Sequence, residues 1–239
     1  VMAYLFLKAQ GLAGKLVADI RIDGAGKKVT RSDNCRVSDL SVSSDNLTFT
    51  YEAKSLPYPI DTSYYDNEKH TQADALSVIP FMDEMNYEGL SVSGLSDGYY
   101  GLTIGGEFIG RFTARELERG INMALLQNTP QYKQAMKIRQ MNEERWLKER
   151  KMREFYWVEY NLMRKTGMLW ACDEAAVDTL RKYRPHDIFL QWNGDLWLQY
   201  MHKGIREDCV NEQQDLVDRI YEQNKPIPLQ IEIKKFTDL

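Results

Sequence analysis

Cysteine and histidine are scarce in this chain of 239 residues, with three of each. Cys35, Cys172 and Cys209 are odd in number and far apart, so no paired spacing suggests a zinc ribbon or a redox dithiol. No His-Glu-x-x-His and no calcium loop occurs, and neither a metal nor a cofactor is expected. Also missing are Gly-x-Ser-x-Gly, Gly-Asp-Ser and Asp-x-x-His, the local patterns that set an activated serine beside its base. His70, His186 and His202 therefore stand outside any such motif. His186 and Asp187 are adjacent, but neighbours in sequence point apart in a strand and lie about 100° apart on a helix, so adjacency makes no dyad. No excess of charge of one sign exists. The 31 basic and 35 acidic residues are interspersed, giving a net charge of −4 and a pI near 5.5, which favours neither nucleic acid nor an anionic membrane as a partner. The apolar opening, Val1 to Leu7, is too short to span a bilayer and lacks the basic region of a signal peptide, so no membrane span is expected.

What the chain does contain is enough apolar material, 43% of its residues, to build a core. Val1 to Gln10 has no breaker and is followed by Gly11 and Gly14, which predicts a buried helix with a glycine stop. From Leu16 to Phe112 the period is two: Ala18, Ile20 and Ile22, then Leu47, Phe49 and Tyr51, alternate with polar neighbours. Strands are also expected at Leu90–Leu95, Tyr99–Ile104 and Glu107–Phe112, joined by Asp97-Gly98 and Gly105-Gly106 as hairpin turns. The spacing of Gly105, Gly106 and Gly110 does not match a phosphate loop, and a hairpin explains it better. Thr113 and Glu116 have capping-box spacing, after which helices dominate: Ala135 to Leu162, Asp173 to Tyr183, Asp195 to Lys203 and Asp208 to Asn224. Leu229, Ile231 and Ile233 alternate as a last strand, expected to return to the earlier sheet. The class is thus α+β: a sandwich-like antiparallel meander followed by a mainly helical region, with domains expected at 1–15, 16–112 and 113–239.

Two surfaces invite a functional reading. Trp192, Trp197 and Tyr200, beside Asn193 and Asp195, have the composition of a sugar-stacking surface, although helical spacing of Trp197 and Tyr200 favours core packing. The polar stretch from Pro57 to Pro80 carries Tyr58, Tyr64 and Tyr65, and long loops of this kind are often functional. The run of basic residues from Lys133 to Arg153 is threaded with Glu143, Glu144, Glu149 and Glu154, and reads as a solvated helix face rather than a nucleic-acid surface.

Four segments carry a family resemblance. VMAYLFLKA (Val1 to Ala9) looks like the helix that follows the catalytic Asp-x-x-His loop of SGNH hydrolases. Leu56–Ile60, Ile79–Asn86 and the long block from Gly94 to Ala135 resemble, in order, the C-terminal extension of bacterial SGNH/GDSL-like hydrolases. Because the chain opens on Val1 within an apolar run rather than on a methionine, Val1 is expected to be a cut end; the resemblance implies that the first helix is the last of a flavodoxin-like SGNH core. It also implies an N-terminal catalytic domain as partner, an ester substrate, plausibly an acylated carbohydrate, and a secreted or periplasmic setting. No catalytic residue of that family can be carried onto any position of this chain. The reading from another class is a non-catalytic β-rich module that recognises glycans or proteins through Trp192, Trp197 or the tyrosines of the 57–80 loop.

Overall fold

Helix α1 (Met2–Ala9) opens the chain and stops ahead of Gly11, whose φ of +72° takes the backbone out of the helical region. This computed structural model describes residues 1–63 and 69–236, so Tyr64 and Tyr65 of the 57–80 loop lie outside the described residues. Strands β1 (Ala18–Asp23), β2 (Lys28–Asp33), β3 (Cys35–Val42) and β4 (Asn46–Ala53) follow α1. After a 3-10 turn at Gln72–Ser77 come α2 (Phe81–Glu84), β5 (Glu88–Ser93), β6 (Tyr99–Ile104) and β7 (Glu107–Thr113). Then α3 (Ala114–Arg119), β8 (Ile121–Asn122) and α4 (Pro130–Val158) precede a π-helical turn at Glu159–Met163. Finally α5 (Glu174–Tyr183), α6 (Ile188–Tyr200), α7 (Lys203–Gln223) and β9 (Leu229–Lys235) complete the set.

The strands form two sheets, in the orders β2-β1-β5-β8 and β3-β4-β9-β6-β7. Every pairing is antiparallel except β1 with β5. Alternation decides what meets inside. Ile20 and Ile22 of β1, Phe49 and Tyr51 of β4, Leu90 and Val92 of β5, Leu102 and Ile104 of β6, and Ile231 and Ile233 of β9 share one cluster. Each such side chain contributes about 1.5–3 kcal/mol on burial. As expected from its alternation, β9 returns to the sheet, pairing with β4 on one side and β6 on the other.

Two expectations are corrected. The strands do not run as one antiparallel meander, because the pairing of β1 with β5 is parallel. Asp97-Gly98 closes no hairpin either, since β5 pairs with β1 and β8 whereas β6 pairs with β7 and β9. The segment between β5 and β6 passes from one sheet to the other, with Gly94 at φ +73° and Gly98 at +143°. Gly105-Gly106 does make the expected hairpin, with both residues at positive φ between Ile104 and Glu107. A Cβ at Gly105 would meet Pro130 Cγ at 3.2 Å and Leu229 Cδ2 at 3.3 Å, on a φ of +60° that L residues avoid. Gly105→Val and Gly98→Val are each expected to cost about 1–3 kcal/mol, read by thermal denaturation. Unchanged melting in both would show that neither turn constrains the sheets.

The contacts divide the chain into two compact units: Val1–Lys137 together with the segment from Asn224 through β9, and Ile138–Gln223. The first therefore contains α3, β8, the start of α4 and β9, which an expected boundary at Thr113 grouped with the helices. The second is wholly helical around Phe155, Val158, Met163, Leu180 and Trp197. Its basic run is paired at i,i+4, through Arg139 with Glu143, Arg150 with Glu154 and Arg153 with Glu149, as a solvated face requires. Helix α6 starts at Ile188, earlier than the expected Asp195, because Asp187 caps it by accepting from the amides of Phe189 and Leu190. Gly194 lies inside α6 with the Arg184 side chain 3.1 Å from where a Cβ would stand.

Candidate functional site

Helix α1 is fixed to the sheet-bearing unit along one edge only. Tyr4 is buried and its hydroxyl donates to Glu84 Oε2 at 2.7 Å, while Lys8 Nζ donates to both Glu84 oxygens at 2.8 and 2.9 Å. The bond to Glu84 raises the Lys8 pKa, and the bond from Lys8 holds the Glu84 carboxyl below the usual range. The remaining faces are apolar and wet: Met2 is 81% and Phe6 66% exposed, and Val1, Leu5 and Leu12 are exposed beside them. Between α1 and the 57–81 segment opens a cavity of about 220 Å³, lined by Val1, Ala3, Tyr4 and Leu7 on one side and Tyr58, Ile60, Leu76, Ile79 and Phe81 on the other. The wall formed by residues 58–60 and 72–81 is well packed. Tyr58 packs edge-on against Phe81 at 5.6 Å, its hydroxyl accepts from Gln72 Nε2 at 2.7 Å, and its backbone exchanges two hydrogen bonds with the buried Asn86 side chain. A packed wall beside a contiguous apolar face is the arrangement of a docking surface.

Inside the same unit lies an acid that no sequence pattern points to. Glu88 is fully buried between the sheets, where Oε1 accepts from the Tyr51 hydroxyl at 2.8 Å and from Gln131 Nε2 at 3.3 Å. Neither Glu88 Oε2 nor Gln131 Oε1 has a partner. Burial lifts the Glu88 pKa to about 7, against the pull of its two donors. Its amide is anchored by Asn122, whose Nδ2 also donates to the backbone oxygens of Met82 and Asn86. Nearby Cys35 is pushed by burial to about 11, so its thiol stays protonated and inert.

In the helical unit the anchor is Glu159, buried in the π turn, whose Oε1 accepts from Trp197 Nε1 at 2.8 Å and whose Oε2 accepts from the Trp170 amide at 2.9 Å. The family to which this unit is similar is specific. Residues 136–225 match the diltiazem deacetylase C-terminal helical domain. Among solved structures, a gut microbial diltiazem-metabolizing enzyme is 38% identical to the chain, with a TM-score of 0.91 over 98% of it. The chain spans about half of that enzyme's length, 53%. No curated protein matches. The matched helical segment, 136–225, lies between the first eight strands and β9.

Within the helical unit, the three aromatic residues singled out in the sequence do not form one stacking surface. Trp197 is fully buried against Glu159, Tyr200 is buried, and only Trp192 is exposed, packed edge-on against Phe189 at 5.5 Å. Burial of two of the three follows from their spacing on the inner face of α6. His202 Nδ1 lies 3.2 Å from Cys172 Sγ, and His186 sits in the 3-10 turn at Arg184–His186. Among the described residues no group of three His, Cys, Asp or Glu is placed to hold a metal, and no helix is long and apolar enough to cross a membrane.

Proposed function

We propose that this chain is the accessory C-terminal part of an ester hydrolase with deacetylase activity, and that the catalytic groups belong to an N-terminal domain resting on α1 and its groove. The observation that carries the reading is the 38% identity to a diltiazem-metabolizing enzyme over 98% of this chain, which leaves nearly half of that enzyme without a counterpart here. The ordered resemblance at Leu56–Ile60, Ile79–Asn86 and Gly94–Ala135 supports a serine acylhydrolase of SGNH/GDSL type as the parent. With it comes a secreted or periplasmic enzyme acting on an acylated carbohydrate, with other acetyl esters, diltiazem among them, as further substrates. The exposed Val1, Met2, Leu5 and Phe6 support the placement of the partner, since covering such side chains yields about 1.5–3 kcal/mol each.

The test compares this chain with one extended by the upstream coding sequence, using 4-nitrophenyl acetate and diltiazem. Only the extended chain is expected to release acetate. Phe6→Glu should leave the melting of the present chain within about 0.5 kcal/mol, because Phe6 faces water, yet cost the extended protein about 2–4 kcal/mol. Acetate release by the present chain, or an inactive extended protein, would sink the reading; equal tolerance of Phe6→Glu in both would sink the placement.

A further inference from the structure

The helical unit contains a second cavity, of about 350 Å³, at the lower end of the range that holds small organic ligands. One wall is the π turn, where the amide of Arg164 donates to the oxygen of Glu159 at 2.8 Å, five residues back instead of four. Such a turn is rare, costs regular helix bonds and recurs at functional sites. Here it is held from inside by Glu159 through Trp197 and Trp170, the latter at a φ of +63° that a tryptophan rarely adopts. The turn gives the cavity Asn161, and Lys165 follows one helical step beyond.

We propose that this cavity binds a small planar molecule bearing a carboxylate. The balance of donors and acceptors decides the charge. Trp157, Lys165, Tyr183 and His186 line it, and among the described residues none of their side chains has a hydrogen-bond partner. The lining's sole carboxylate, Asp187, is held at the start of α6 by two backbone amides that both donate to Oδ1, at 2.8 and 3.2 Å. Lys165 carries the one cationic side chain of the lining that no ion pair engages among the described residues, and it calls for an anion, with Tyr183 and His186 able to donate beside it. The shape is set by rings: Trp157, braced by Phe189 at 5.2 Å, and Tyr183 supply two aromatic walls, and Leu190 supplies an apolar floor. An aromatic carboxylate satisfies both demands at once, with its ring against Trp157 and Tyr183 and its oxygens on Lys165 and His186.

The inference stands on this cavity alone and is independent of the ester-hydrolase reading. The whole chain is titrated with benzoate and trans-cinnamate, and in parallel with benzyl alcohol and benzylamine, following tryptophan fluorescence and the amide NMR signals of Trp157, Asn161 and Lys165. The two carboxylates should saturate with a Kd of about 1 mM or below, which a ligand of about ten non-hydrogen atoms reaches at ordinary efficiency. Lys165→Glu should weaken them at least tenfold without moving the melting temperature, because Lys165 is exposed and makes no ion pair. Tyr183→Ala should weaken cinnamate as well. No saturable shift with either carboxylate, equal binding of benzylamine, or carboxylate binding untouched by Lys165→Glu would overturn the proposal.

Discussion

Replacing Glu88 by glutamine is expected to raise the melting temperature of the sheet-bearing unit at pH 8 and to flatten its dependence on pH. The carboxyl is fully buried, and burial holds its pKa near 7 in the folded chain, against an ordinary 4.5 when unfolded. The folded state therefore binds the proton more tightly than the unfolded one. The stability this supplies is complete below pH 4.5 and is lost as the pH rises towards 7. At about 1.4 kcal/mol per pH unit the loss reaches about 3 kcal/mol, or roughly 5–10 °C in melting temperature. Glutamine keeps the acceptor for Tyr51 and Gln131 and replaces the unpaired Oε2 with a donor that the unpaired Gln131 oxygen can take. The tryptophans at 146, 157, 170, 192 and 197 all lie in the helical unit, so their fluorescence follows that unit alone. The shift should appear in far-ultraviolet circular dichroism and calorimetry, not in the fluorescence melt. A flat wild-type profile from pH 5 to 8, or a variant less stable at pH 8, would refute the assignment. Tyr51→Phe should act in the opposite sense, costing about 1–3 kcal/mol more at pH 8 than at pH 5, since it removes a donor from the ionised form.

Trp197→Phe should lower the stability of the helical unit by about 2–4 kcal/mol. Phenylalanine retains part of the buried apolar volume but cannot donate to Glu159, whose carboxylate is buried in the π turn and would keep only the amide of Trp170. An acid stranded in this way costs more than the hydrogen bond it lost, because desolvation is no longer offset. Pairing the change with Glu159→Leu should recover part of the loss, and the difference measures the coupling. Urea titration followed by the four remaining tryptophans gives both numbers. A loss under about 1 kcal/mol would mean that the Trp197–Glu159 bond is not what holds the turn.

Strands with a clean inside and outside were legible in the sequence: β4 buries Leu47, Phe49 and Tyr51, and β9 buries Leu229, Ile231 and Ile233. Strand β2 was not, because none of its side chains is buried and an edge strand of that kind carries no period-two signal. Capping chemistry was equally legible at Thr113 and Asp173, where a side chain closes the first turn within three residues. What failed was inference from glycine alone. Asp97-Gly98 reads as a hairpin but is a crossing between sheets. The buried acid escaped for a different reason: Tyr51 and Gln131 are 37 and 43 residues away from Glu88, so nothing local announces the cluster. The π turn likewise leaves no trace in the spacing of Met152, Phe155, Val158 and Leu162, which fits an ordinary helix.

Strand β9 is the middle strand of its sheet, yet the whole helical unit precedes it in the chain. On the ribosome the helices can therefore fold while β4 and β6 still face each other across an empty place. For roughly 6–25 s, at ordinary rates of synthesis, two long apolar strand edges stay open to pairing with any other extended chain. The order of assembly, helices first and sandwich last, is thus written into the position of seven residues. The nascent sheet, rather than the finished one, is where this protein is most exposed to aggregation.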